Sequence, residues 1–189
     1  MLGDEKRGNV LSAFHKARPH GFSLIELMIG IAIFSITLTF GVSSYRTWVQ
    51  NTQIRNAAES IQNGIQRARA EAVKRNTNVA FTLGVGSSWD ISVVTGGAVI
   101  ESRSGGEGSK NVIVNALDKD GNDATTITLS NLGAVVANVP LSESLARVDL
   151  DSSVLDPADS RDLRVTIGLG GIVRMCDPNL AAGSSPRAC

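Results

Sequence analysis

Between Phe22 and Arg75 the chain runs 54 residues without a proline, and no other feature limits its fold as strongly. Proline lacks the amide that an interior helical position needs, so its absence over this length permits one long helix of about 80 Å. The two halves of the stretch differ. Phe22 to Ser44 carries a single charge, Glu26, and at about 1.5 Å per residue reaches roughly 35 Å, enough to cross a bilayer core. Beyond it, Ile54, Ala57, Ala58, Ile61, Ile65, Ala68 and Ala72 recur at spacings of three and four, while Asn56, Glu59, Asn63, Arg67 and Lys74 fall elsewhere on the wheel. That pattern predicts one narrow buried stripe. Residues 22–44 are therefore expected to enter a membrane or filament core, and residues 45–75 to form the amphipathic spine of a head.

After Asn76 the helical period stops. Short β-prone runs follow, "NVAFTL", "WDISVV", "AVIES", "NVIVNA", "TTITLS", "ARVDL", "LRVTIG" and "GIVRMC", separated by Gly, Ser, Asn and Asp clusters. The expected class is α+β, with a long N-terminal helix packed against an antiparallel sheet, or two, in a head spanning 76–189. "TGG" and "SGGEGS" mark turns. "DKDGND" alternates acids about a glycine, which leaves a turn or a loop-bound calcium open. Ile127 stands where an EF-hand needs its bidentate glutamate, so a full EF-hand is excluded. Residues 177–189, "DPNLAAGSSPRAC", are expected to be disordered by composition, and a Cys176 to Cys189 bridge would tie this tail back to the last strand.

Charge and cysteine usage narrow the function. Lys plus Arg equals Asp plus Glu at 18 each, so no global field gathers nucleic acid or anionic lipid. Residues 1–21 hold Lys6, Arg7, Lys16 and Arg18 against Asp4 and Glu5, a local excess of two positive charges, together with both histidines, His15 and His20. Basic residues before an apolar span keep the N-terminus cytoplasmic. Loss of this leader leaves a chain without histidine, the usual general base. The chain has no G-x-S-x-G, and its glycine-rich stretches lack a phosphate-loop lysine. No enzyme activity, cofactor or metal is expected, and Asp149 and Asp151 are expected to be solvated at a strand end. Cys176 and Cys189 form a disulfide in an oxidising compartment or remain two thiols in a reducing one; a bridge would contribute roughly 3 kcal/mol on the chain-entropy model.

Glu26 stands out because one carboxylate in a membrane helix costs roughly 2.5 to 3.5 kcal/mol on insertion scales and marks a functional site. A cut after Gly21 would leave an amine on Phe22, less than two turns from that carboxylate. An ion pair between neighbouring molecules sets register more than it adds stability.

"GFSLIELMIGIAIFSI" resembles the class III signal of type IV pilins and type II secretion pseudopilins. The resemblance implies cleavage after Gly21 by a prepilin peptidase, methylation of Phe22 as the new N-terminus, and contact of Glu26 with a neighbouring subunit's N-terminus. It implies a type IV pilin-like fold anchored in the bacterial inner membrane with a periplasmic head, later carried into a pilus or pseudopilus with other pilins or pseudopilins as partners. Two features depart from the pattern: the leader of 21 residues is long, and Ser43 stands where pilins often carry a proline. Gly41 supplies that flexibility, or the helix runs uninterrupted. "IQRARAEAVKRN" is similar to the internal stretch of the FimT/GspH family of minor pilins and pseudopilins. Its Arg67, Glu71 and Arg75, spaced at i, i+4 and i+8, make helix-surface ion pairs or a functional basic face.

The resemblance covers Gly21 to about Leu83 and, more thinly, the last strand, leaving 84–165 without a family signal. It implies a structural subunit that helps initiate or regulate filament assembly, and it does not separate pilus from secretion machine, although "QRARAEAVKRN" and the terminal cysteine lean toward FimT. The alternative is a DNA-binding minor pilin acting in DNA uptake through a C-terminal Gly-Arg-x-Arg stretch. The corresponding "GIVR", Gly171 to Arg174, has Ile172 in place of the first arginine. Arg174, Arg187 and Arg164 are the candidate contacts, with Arg161 near them. They face Asp149, Asp151, Asp156, Asp159, Asp162 and Asp177, and phosphate binding grows with the number of cations presented together.

Overall fold

The structure, a computed structural model, describes residues 21–189. The leader's first 20 residues, with His15 and His20, lie outside the described residues, as do the side chains of 39–41 and 43; the helix itself runs through Gly41 and Ser43 uninterrupted. The chain divides into two compact units, the second being Val42–Cys189.

Helix α1 spans Leu24–Arg75, 52 residues, and starts two positions later than the proline-free stretch allows. Ser23 explains the start. Its Oγ accepts the Glu26 amide at 3.2 Å and its carbonyl accepts the Leu27 amide at 3.1 Å, so Ser23 is the N-cap and satisfies a donor that the first turn leaves free. In the first unit the large apolar side chains from Leu24 to Leu38 are all exposed. Among the described residues no helix is long and apolar enough to cross a membrane.

In the Val42–Cys189 unit the seven residues of the stripe, Ile54 to Ala72, are all fully buried. They share one core with nine strands: β1 (Val79–Leu83), β2 (Trp89–Val93), β3 (Val99–Arg103), β4 (Val112–Leu117), β5 (Thr126–Leu129), β6 (Val135–Val136), β7 (Arg147–Ser152), β8 (Leu163–Ile167) and β9 (Val173–Cys176). All eight expected runs become strands, and β6 is an addition. They make two antiparallel sheets, ordered β3-β2-β1-β5-β6 and β4-β7-β8-β9. In the first, Phe81 lies between Ile91 and Ile127; in the second, Val148 lies between Ala116 and Val165. Strand alternation then sends Asp149, Asp151, Arg164, Thr166, Arg174 and Cys176 to the opposite face of the second sheet.

The helix meets the first sheet at a glycine. A Cβ on Gly64 would stand 2.7 Å from Phe81 Cε2 and 3.1 Å from Trp89 Cε2. Trp89 is fixed there by its Nε1, which donates to Ser60 Oγ at 2.9 Å. Its ring lies 5.7 Å from that of Phe81, centroid to centroid, so a small residue on the helix lets two large aromatic side chains approach its backbone.

Candidate functional site

The N-terminal residues form the first candidate. Gly21 precedes α1 with nothing within 4 Å of where a Cβ would be, and Phe22 is 81 % exposed. Both are open to an enzyme acting on the backbone. Glu26 sits in the first turn of α1, where a carboxylate is favoured by the helix dipole. Around it Ile25, Leu27, Met28 and Ile29 are exposed.

The second candidate is the end of α1. Glu71 receives Arg75 Nε at 2.6 Å and Lys74 Nζ at 3.2 Å, and these hydrogen bonds, Arg75's first, hold its carboxyl below the usual range. Arg67 does not join them, contrary to the i, i+4 expectation. It crosses to Glu101 of β3 at 2.5 Å, a partner invisible to helix spacing. Arg69, which the sequence did not single out, donates its Nε to the Gly133 carbonyl at 3.0 Å. Gly133 in turn abuts Gly171, whose φ of +71° and closeness to the Gly133 carbonyl oxygen leave no room for a Cβ. The glycine of "GIVR" thus works as a packing point between two turns.

The arginines proposed for phosphate contact divide: Arg164 and Arg174 are bonded within the head, while Arg187 and the neighbouring Arg161 line one groove. Arg164 Nε and Nη2 bind Asp149 Oδ1 and Oδ2 at 2.5 and 3.2 Å, and Arg147 approaches the same carboxylate at 3.6 Å. Asp149 is therefore the centre of an ion-pair cluster and not a solvated acid. Arg174 Nη2 donates to the carbonyls of Pro186 and Ala188, both at 2.9 Å. Arg187 is exposed, with no side-chain partner among the described residues.

The tail is tied back to the last strand, as the bridge between its cysteines implied. Cys176 and Cys189 are bridged, with Cα atoms 5.1 Å apart. Asp177 donates its amide to the Arg187 carbonyl at 2.7 Å, Cys189 donates its own to Asp177, and Ala188 is buried. Residues 177–189 are folded back on β9, because the bridge and Arg174 supply what composition lacks.

Two acidic loops complete the polar chemistry. Asp118 Oδ1 accepts the amides of Asp120 and Asn122, each at 2.8 Å, and Oδ2 the Asn122 amide side chain. Burial pushes its carboxyl up, but these donors outweigh it and hold it low. The "DKDGND" loop is thus an Asx turn whose first acid is bound by the loop's own backbone. Asp151, expected to be solvated, takes Ser160 Oγ at 2.6 Å and the Ser152 amide at 2.5 Å. Ser160 Oγ also lies 2.9 Å from Asp162 Oδ1, whose other oxygen receives Asn179 of the tail at 3.3 Å.

Residues 57–171 match the family described as type II transport protein GspH, a span that includes the stretch 84–165 where the sequence carried no recognised motif. Residues 16–42 match the prokaryotic N-terminal methylation motif. Among solved structures the chain is similar to the type IV minor pilin FimU of Pseudomonas aeruginosa in two crystal forms. One is 17% identical with a TM-score of 0.49, covering 72% of this chain and 98% of that one. The other is 16% identical with a TM-score of 0.46, covering 69% and 98%. No curated protein matches.

Proposed function

Since the chain belongs to the family of the type II transport protein GspH and carries the N-terminal methylation motif, we propose that this minor pilin or pseudopilin helps initiate or regulate assembly of its filament. Residues 22–44 anchor it in the inner membrane, with the head periplasmic, until a prepilin peptidase cuts after Gly21 and the Phe22 amine is methylated. The chain is a substrate in these steps and catalyses none. The observation that carries the reading is Glu26, a lone carboxylate in the first turn of a helix whose large apolar side chains from Leu24 to Leu38 are exposed. A neighbouring subunit's N-terminal amine supplies its cation and sets the axial register, as buried pairs do.

The test is in cells. Replacing Gly21 should leave unprocessed precursor, and Glu26→Ala should be processed but absent from sheared filaments. Normal incorporation of the Glu26 variant would refute the role given to that acid. Of the arginines named for a DNA-uptake reading, Arg164 and Arg174 are engaged within the head, which leaves Arg187 as its support.

A further inference from the structure

A groove of about 850 Å³ lies within the Val42–Cys189 unit, where the helix faces the loop 156–163 and the tail. Its lining includes Trp48, Arg55, Asp159, Arg161, Asp177 and Arg187. Asn51 shapes it: its Nδ2 donates to the Asp159 carbonyl at 3.0 Å and its Oδ1 accepts the Arg161 amide at 2.9 Å. The loop backbone is pinned, while the side chains of Arg161 and Arg187 have no ion-pair partner among the described residues. Arg55 reaches Glu59 only at 3.5 Å, with both side chains largely exposed.

One lining residue, Trp48, belongs to an exposed aromatic pair with Tyr45. Trp48 and Tyr45 are 62 and 64 % exposed and contact each other with centroids 5.9 Å apart. Large rings with a polar atom are enriched at membrane–water interfaces. Trp48 lies four residues past Ser44, the end of the apolar run, a rise of about 6 Å. With residues 22–44 in the bilayer, these rings fall at headgroup level. The lining has guanidiniums and carboxylates together, which suits a headgroup bearing both a phosphodiester and an ammonium better than a simple anion.

We propose that this groove binds the headgroup of an aminophospholipid such as phosphatidylethanolamine, its phosphodiester on Arg161, Arg187 and Arg55 and its ammonium on Asp159 and Asp177, beside Trp48. The proposal rests on the membrane-anchored reading given above. It makes the head a lipid-holding element before assembly, so that extraction into a filament requires release of this contact as well as of the helix.

The test uses the full processed chain in phosphatidylcholine vesicles doped with acyl-brominated phosphatidylethanolamine or, at the same mole fraction, brominated phosphatidylcholine. Bromine quenches nearby tryptophan, and a Trp48→Phe chain gives the background from Trp89, which is buried. The expected result is at least about twofold more quenching of Trp48 by the ethanolamine lipid, a preference of the size that one net hydrogen bond confers. That preference should fall to parity in the Arg161→Gln/Arg187→Gln chain and in Asp159→Asn, none of which removes a side-chain bond within the head. Equal quenching in the parent chain, or a preference unmoved by these substitutions, overturns the headgroup site while vesicle flotation still upholds the anchor. Failure to float with the vesicles overturns the anchor, and the headgroup site falls with it.

Discussion

Replacing Gly64 by alanine sets two effects of opposite sign against each other in one position of α1. Helix propensity alone favours alanine by about 0.8 to 1.0 kcal/mol. Against it, the new methyl would stand 2.7 Å from Phe81 Cε2, and 3.1 and 3.2 Å from Trp89 Cε2 and Cδ2. Carbon atoms rest at about 3.5 to 4.0 Å, so the Phe81 ring must retreat by about 0.8 Å or more. It has nowhere to go: Phe81 is fully buried between Ile91 and Ile127, and Trp89 is held by its bond to Ser60. Overpacking of this kind costs about 1 to 3 kcal/mol. The expected net result is a loss of about 1 kcal/mol, read as a lower urea midpoint with unchanged slope in the disulfide-bridged Val42–Cys189 unit. Phe81→Leu removes the ring atom in the way, so the Gly64→Ala/Phe81→Leu pair should couple favourably by about 0.5 kcal/mol or more. A Gly64→Ala head as stable as the parent, or additivity with Phe81→Leu, would show that the aromatic contact does not demand glycine.

Four further outcomes follow, three from the polar network and one from the disulfide. Burial first, then the Asp151 carboxyl, hold the Asp162 carboxyl above the usual range against Ser160 and Asn179; the stability contributed by its proton is present at low pH and lost as pH rises through the raised value. Burial also pushes Asp151 up, but Ser160, Asp162 and the Ser152 amide outweigh it and leave it low, so its contribution is lost only as pH falls through the lowered value. Asp162→Asn should therefore stabilise the head at neutral pH, and Asp151→Asn should destabilise it, in thermal melts run across pH. Cys176→Ser/Cys189→Ser should lower unfolding free energy by about 3 kcal/mol and speed proteolysis of the tail. Arg174→Gln removes the donor to Pro186 and Ala188, so it should raise amide exchange at 177–189, whereas an unchanged exchange pattern would contradict its role as a tail clamp.

What the sequence disclosed depended on how local the cause was. The Ile54 to Ala72 stripe is set by spacing along one helix, and each of its residues proved buried. The eight runs of β-branched residues likewise announced their strands, while β6, two valines long, is too short to show a period. The polar contacts were hidden because their partners are distant in sequence. Arg67 faces Glu101, Arg69 faces Gly133, and Asn51 faces Asp159 and Arg161 across more than 100 residues. Gly64 gave no sign of its importance, since only the positions of Phe81 and Trp89 make a side chain there intolerable. The capping role of Ser23 was within reach, because Ser-x-x-Glu before an apolar run is a helix-start pattern. For the tail, composition reports on a free segment, and it was the pair of cysteines that disclosed the tie to the last strand.

That tie gives the head an unusual topology at its end. The chain from Cys176 to Cys189 is a covalent ring, closed by the bridge and laid against β9 by Arg174 and Asp177. A protease that cuts once inside the ring releases nothing, and the two pieces part only when the bridge is reduced. A peptide fused after Cys189 would not hang from a free stalk; it would leave the surface beside the edge of the second sheet, at a point fixed by the bridge.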